Sequence, residues 1–493
     1  MPAPNPVAVC ATRLRIYDPH APFLGVSAGG LMSQTWEGPL DHRTDRPSFR
    51  RQPGLIRSRG EFDPLAPNPV KTARRPNMKT SLPGPKAAEL IARDAKAMSP
   101  SFTRAYPFVM DRGEGCWATD VDGNTFLDFT AGIAVNTTGF SHPKVVAAIE
   151  EQARRFLHMS GTDFYYRSEI ELAERLEAKI LPGTPAKVFF TNSGAEAIEG
   201  AMKLARYATG RPSYVAFIGG FHGRTFGALS LTASKASQRR RFAPLLSSVF
   251  HAPYPSISRG VTTDDSLARL EELFSTVAPP ESVAAVFVEP IQGEGGYLVP
   301  PDDFLPRLRE LTLKHGILLV ADEVQCGMGR TGQLLAVEHW KVEPDIVCLA
   351  KGIASGLPLG AFIARAEQMS WPPGSHGSTF GGNPVACAAG LATLDLLEEG
   401  LMANASKVGA QLQDGLREIA QTHDQVTDVR GLGLMVALEL KTAELAAQLV
   451  QNAFERGLLL LTAGARAVRI SPPLILDHEE AATGLEIIAS ALD

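Results

Sequence analysis

The sequence predicts an α/β fold, a mainly parallel sheet with helices on both faces, followed by a smaller α+β region. Three observations lead there. Short apolar runs without polar alternation recur through the middle of the chain, as strands covered on both faces require. Helix-period stretches separate these runs, giving the rhythm of a doubly covered sheet. After about residue 390 the pattern changes to helices interspersed with short strand-like runs.

Residues 1–77 carry twelve prolines and ten arginines with little apolar periodicity, so no packed core is expected of them. They lack an apolar secretory core, and six acidic residues suit an organelle transit peptide poorly. They read as a disordered extension, or as sequence ahead of a start at Met78. Residues 78–130 form a segment that joins the smaller domain. From Phe108 to Phe129 the pattern is strand, turn, strand, with Asp122-Gly123-Asn124 as the turn. Residues 131–389 form the large domain. Its strand runs are Lys187 to Phe190, Tyr214 to Ile218, Val283 to Val288, Ile317 to Ala321, Ile346 to Leu349 and Gly360 to Ala364. Helices are expected over 194–208, 265–277 and 302–315. Residues 390–493 form the C-terminal small domain, entered by a helix over 385–399. Its strands are Leu434 to Leu440, Leu458 to Leu461 and Val468 to Ile470.

The chain's 493 residues suffice for two domains, and 44% hydrophobic with 20% charged residues is ordinary for a soluble protein. A net charge of -5 argues against nucleic-acid binding, and Arg239-Arg240-Arg241 is too short to reverse that. Cysteines at 10, 116, 326, 348 and 387 form no C-x-x-C pair, so neither a disulfide framework nor a metal site is expected. A reducing cytoplasm fits. No apolar run approaches the roughly 18 residues that span a bilayer, so no membrane partner is expected.

Ligands of such sheets gather beyond the carboxyl ends of the strands. After Val188-Phe189-Phe190 comes Thr191-Asn192-Ser193-Gly194-Ala195-Glu196, whose small residues let backbone N–H groups meet a phosphate at a helix start. Alone, Ser193 with Glu196 reads better as a capping box. Gly219-Gly220-Phe221-His222-Gly223-Arg224 sets an aromatic among glycines, either to stack on a flat ring or as a plain loop. Asp322-Glu323-Val324-Gln325 puts a carboxylate at a strand end, for a protonated ring nitrogen, a metal or a helix cap, metal being the weakest. Ala350-Lys351-Gly352 puts a lysine at another, either snorkelling to solvent or poised as a nucleophile for an aldehyde. A phosphate cradle, an aromatic, a carboxylate and a lysine in this order match one cofactor, pyridoxal 5'-phosphate.

With these motifs in view, the chain resembles the class III (omega) aminotransferases of fold type I, especially 4-aminobutyrate, acetylornithine and ornithine aminotransferases. The resemblance spans roughly residues 80–490. It rests on Leu127-Asp128-Phe129, Ser193-Gly194-Ala195-Glu196-Ala197, Phe221-His222-Gly223-Arg224 and Glu289-Pro290-Ile291-Gln292-Gly293-Glu294-Gly295-Gly296. Asp322-Glu323-Val324-Gln325, Ala350-Lys351-Gly352, Gly377-Ser378-Thr379-Phe380-Gly381-Gly382-Asn383-Pro384 and Arg469-Ile470-Ser471-Pro472-Pro473-Leu474 complete it.

The resemblance implies that Ser193, Gly194 and Ala195 hold the cofactor phosphate and that Phe221 stacks on its ring. It implies Asp322 at the ring nitrogen, Gln325 near the ring hydroxyl, and His222, Glu289 and Val324 among the cofactor contacts. Lys351 forms the Schiff base, and Thr379 reaches the phosphate of a neighbouring subunit, so a homodimer or higher assembly is implied. Arg224 matches a substrate-carboxylate arginine. Glu294 and Arg469 match a pair in which the glutamate masks the arginine for one substrate and frees it for another. Ile133 and Val135 are expected at the substrate pocket. The implied activity moves the terminal amine of 4-aminobutyrate, ornithine or N-acetylornithine to 2-oxoglutarate by ping-pong exchange. Residues 84–108 and 159–166 look similar to a branch that includes broad-specificity amino-acid racemases, which makes racemisation the alternative. A non-catalytic binding protein on the same scaffold is more remote, because Lys351 and Asp322 are intact.

Overall fold

The computed structural model describes residues 74–493. The expected extension therefore lies outside the described residues except for its last four, among which Asn77 pairs with Thr125. Three sheets organise the rest. The largest has seven strands in the order Ala186–Thr191, Gly360–Arg365, Ile346–Leu349, Leu318–Asp322, Val283–Val288, Ser213–Phe217, Val249–Ala252. Gly360–Arg365 runs antiparallel to both neighbours, and the other pairs are parallel. The apolar runs are legible because both faces are covered: every residue of Val283–Val288 is buried. Alternate side chains feed opposite cores. Val347, Ala361 and Ile363 pack to one side, and Ile346, Cys348 and Phe362 to the other against the helix Gly194–Thr209. At about 1.5–3 kcal/mol for each large apolar side chain, this burial is the main term fixing the sheet.

The helices Thr263–Thr276 and Phe304–His315 fall near their expected spans. A Thr262/Asp265 capping box starts the first, and Gly316, at φ 59°, ends the second in the left-handed region. The edge strand Val249–Ala252 was not expected. Its four residues are too few for a pattern, and three of them are only half-buried.

The early segment makes two hairpins rather than one, through Met110–Glu114, Trp117–Asp120 and Thr125–Asp128. Leu458–Leu459 then adds in parallel to Thr125–Asp128. Gly123 sits at φ 87°, as the tight turn demands. A third sheet, ordered Val426–Leu432, Met435–Leu440, Ala467–Ile470, Leu461–Ala463, includes the unexpected strand Val426–Leu432. Charged residues within that strand hid it from a search for apolar runs. No helix among the described residues is long and apolar enough to cross a membrane.

Candidate active site

The carboxyl ends of the large sheet's strands open into a cavity of about 560 Å³. Ser193, Gly194, Ala195, Phe221, His222, Arg224, Glu289, Asp322, Val324, Gln325 and Lys351 line it, and Val135 closes one side. Segments far apart along the chain thus converge on a single space.

The phosphate-type cradle has a local cause. Ser193 is the N-cap of Gly194–Thr209, and its hydroxyl accepts from the Glu196 N–H at 3.2 Å. The expected capping box is only half present. The Glu196 carboxylate instead takes the backbone N–H of Asn192 (2.7 Å) and its side-chain amide (2.9 Å). The N–H groups of Gly194 and Ala195, in the first helical turn, have no intrahelical acceptor and face the cavity with the positive end of the helix dipole. Gly194 must stay bare, because a Cβ there would lie 2.7 Å from the Val324 side chain.

Asp322 ends its strand 3% exposed. One carboxylate oxygen meets Nδ1 of buried His222 at 2.7 Å, and the other accepts the Val324 N–H at 3.1 Å. Burial works against a charged imidazole, but the hydrogen bond and charge of Asp322, with Glu289 beyond, outweigh it and raise the His222 pKa. His222 therefore donates to the Asp322 carboxylate. Glu289 fixes Phe221 by accepting its backbone N–H at 2.9 Å, and accepts Gly293 N–H at 3.0 Å. Burial, helped by Asp322, pushes its carboxyl up to about 7. Phe221 is half-buried, with the Arg224 guanidinium 5.6 Å from its ring centre.

Lys351 follows Ile346–Leu349 after one residue and has a φ of 49°, a left-handed conformation that a lysine adopts only under constraint. Gly352 permits the tight passage, since a Cβ there would lie 2.5 Å from the Thr137 hydroxyl. Burial, reinforced by Arg469, lowers the Lys351 pKa despite the opposing carboxylates of Asp322, Glu289 and Glu294. The amine does not snorkel to the surface. It faces the cavity with a larger neutral, nucleophilic fraction than an ordinary lysine.

Glu294 and Arg469 are joined at 2.5 Å, with Arg469 buried and its Nε left without a partner. Burial opposes the Glu294 charge, yet Arg469, then Lys235 and Lys351, hold its carboxyl below the usual range. Neither residue lines the cavity directly, but both act on the Lys351 charge. Two predicted residues fall away from the cavity of this chain. Ile133 is 41% exposed, on a short turn at φ 68°. Thr379 is exposed on the segment leading to Pro384–Leu396.

Sequence reasoning missed the apolar wall made by Leu357, Pro358 and Leu359. Its only signal was the turn-like Gly356-Leu357-Pro358, which carries no chemistry. It also gave no hint that His222 meets Asp322, because residues a hundred positions apart have no shared spacing.

A buried strand-end lysine, a carboxylate–histidine pair and a bare helix N-terminus around one cavity are the layout of a fold type I transferase. Comparison with known proteins gives the family. Residues 98–492 match the family described as Aminotransferase class-III. The chain is 40% identical over 417 residues to the 4-aminobutyrate aminotransferase GabT of Escherichia coli (strain K12), covering 82% of this chain and 98% of that protein. It is also 40% identical over 439 residues to an alanine/serine racemase of Pyrococcus horikoshii, covering 85% and 92%. Among solved structures, the internal-aldimine form of an amine transaminase from an uncultivated Pseudomonas species matches with a TM-score of 0.75. The identity is 33%, over 80% of this chain and 97% of that one. The chain belongs to the class III aminotransferases, and the family and fold expected from its motifs are borne out.

Proposed function

We propose that the protein binds pyridoxal 5'-phosphate through Lys351 and moves the terminal amine of 4-aminobutyrate, ornithine or N-acetylornithine to 2-oxoglutarate. One observation carries the reading: Lys351, Asp322 and the unpaired N–H groups of Gly194 and Ala195 line the same cavity. The residues present fit the group. The Gln325 amide oxygen is buried without a partner, ready for a polar ring substituent. Gly194 leaves bare the space beside Val324 that a side chain would fill.

When bound, the cofactor supplies an aldehyde and an electron-accepting ring. Ser193, Gly194 and Ala195 would hold its phosphate, and Phe221, fixed by Glu289, would pack on the ring. Val324 would lie against that ring, and Asp322, oriented by its hydrogen bond with His222, would meet the ring nitrogen. The Lys351 amine, neutral more often than most, would hold the cofactor through its aldehyde and would be the base placed to move a proton at the substrate carbon. Leu357, Pro358 and Leu359 exclude water. Arg224 binds a substrate carboxylate, and Val135 bounds the pocket. Glu294 masks Arg469 for a donor lacking a 2-carboxylate and releases it for the dicarboxylic acceptor, since a buried arginine left unpaired is costly.

A homodimer belongs to this reading. Leu157, Met159, Phe164, Tyr165 and Phe380 are exposed apolar residues near Thr379, more than an isolated chain usually leaves in water. A second copy seated there would bring Thr379 to its neighbour's phosphate. Four buried free thiols suit the cytoplasm.

Racemisation is the second reading, favoured by the similarity to the alanine/serine racemase. A donor screen against 2-oxoglutarate, run beside chiral analysis of single amino acids without an oxo acid, separates the two. Amino transfer from an ω-amine with no racemisation supports the proposal. Racemisation without transfer overturns it.

A further inference from the structure

The Glu294 carboxylate has two cationic neighbours. Glu294 Oε1 is 2.5 Å from Arg469, and its other oxygen, Oε2, is 3.9 Å from the Lys235 ammonium. Among the described residues these are its ion pairs. Their surroundings differ. Arg469 is buried on the strand Ala467–Ile470, while the Lys235 side chain is 40% exposed.

The backbone around Glu294 is pinned. Gly464 N–H donates to the Glu294 carbonyl at 2.9 Å, and Arg259 and Arg430 donate to the carbonyls of Gly295 and Gly296, each at 2.6 Å. Gln292 and Leu298 exchange backbone hydrogen bonds across the turn. Glu294 can therefore leave Arg469 only by turning its side chain, and its second resting place must lie within one side-chain length. Lys235 is held at that distance. Ala233, two residues before it, exchanges backbone hydrogen bonds with Gly219 and Gly220, which lead into Phe221. The Thr232 hydroxyl accepts the His222 N–H and so ties the same segment to the cavity wall.

We propose that Lys235 is a positioning residue for the dicarboxylate half of the exchange, receiving the Glu294 carboxylate when an incoming 2-carboxylate takes Arg469. This rests on the Glu294–Arg469 reading given above. Without a receiving cation, a half-buried carboxylate would be left unpaired as the acceptor bound, and acceptor affinity would fall. The donor half, in which Glu294 stays on Arg469, does not need Lys235. Lys235 therefore sets the balance between the two substrates without touching either.

The test uses the holoenzyme and two readouts, the KM and kcat of each half-exchange and the Kd of glutarate, an unreactive dicarboxylate probe. Lys235→Ala should raise the 2-oxoglutarate KM and the glutarate Kd by about three- to tenfold, leaving donor KM and both kcat values within about twofold. Lys235→Arg should restore both. In a Glu294→Gln background, where no carboxylate needs a receiver, Lys235→Ala should change nothing further. Equal weakening of donor and acceptor by Lys235→Ala overturns the role of Lys235, and so does a further loss of acceptor binding when Lys235→Ala is added to Glu294→Gln. If Glu294→Gln alone leaves the donor-to-acceptor ratio unchanged, the masking reading itself fails, a result distinct from failure of Lys235.

Discussion

Asp322 and Glu323 are neighbours at the end of one strand, both almost fully buried, yet they serve opposite sides of the molecule. Asp322 faces the cavity and shares one oxygen with His222, in a region that keeps unspent polar capacity: the Gln325 oxygen and the first-turn N–H groups of Gly194 and Ala195. Glu323 faces the rear. Its two oxygens accept the N–H groups of Ala336 (3.0 Å) and Val337 (2.9 Å), and Cys326 adds its thiol at 3.1 Å. The site side is incomplete without a ligand, and the support side is complete without one. A buried carboxylate is thus a functional candidate by what its surroundings leave unpaired, not by burial alone.

The contrast makes graded predictions. Lys351→Ala should have the largest effect, lowering turnover by about a thousandfold or more and removing the visible absorbance of the holoenzyme, while the urea midpoint of the apoprotein does not fall. Absorbance spectroscopy and a urea titration read both. Asp322→Asn should follow, with turnover down on the order of a hundredfold or more because the ring nitrogen loses its anionic partner. Steady-state kinetics check it, and near-normal turnover would erase the distinction between the two carboxylates.

Glu323→Ala should do the converse. Two buried N–H groups lose their acceptor, for a stability loss of about 2–4 kcal/mol by chemical denaturation, with kcat little changed in the folded fraction. The milder Glu323→Gln sharpens the point through pH. Burial raises the Glu323 carboxyl to about 7, above its ordinary value of 4.5. The folded state therefore binds that proton more tightly than the unfolded chain. Its stabilising contribution is whole below about pH 4.5 and lost as pH rises through about 7. Glu323→Gln should flatten the fall in urea midpoint between about pH 4.5 and 7 relative to the unaltered protein. Smallest of all, Arg154→Ala removes an exposed pair with Glu150 at 4.0 Å and should leave both midpoint and turnover unchanged.

What could be read from the chain follows the same division. The large sheet was legible because both faces are covered, so Val283–Val288 and Ile346–Leu349 appear as unbroken apolar runs. Val249–Ala252 and Val426–Leu432 were not, being edge strands with half-exposed residues and, in the second, an interior Asp428 and Arg430. At the cavity, Lys351 and Asp322 announced themselves as charged residues that no buried strand would otherwise tolerate. His222, Lys235 and the Leu357–Leu359 wall acquire meaning only from tertiary proximity. Glu196 shows the limit in miniature: the spacing suggested a reciprocal cap with Ser193, but the carboxylate reaches one residue further, to Asn192.

The central claim is that one amine, at position 351, carries the cofactor. Borohydride reduction of the pyridoxal-phosphate-loaded protein, followed by peptide mass spectrometry, tests it directly. The account predicts a phosphopyridoxyl group fixed on the peptide containing Lys351. A label confined to other lysines, or no label on protein saturated with the cofactor, would contradict it.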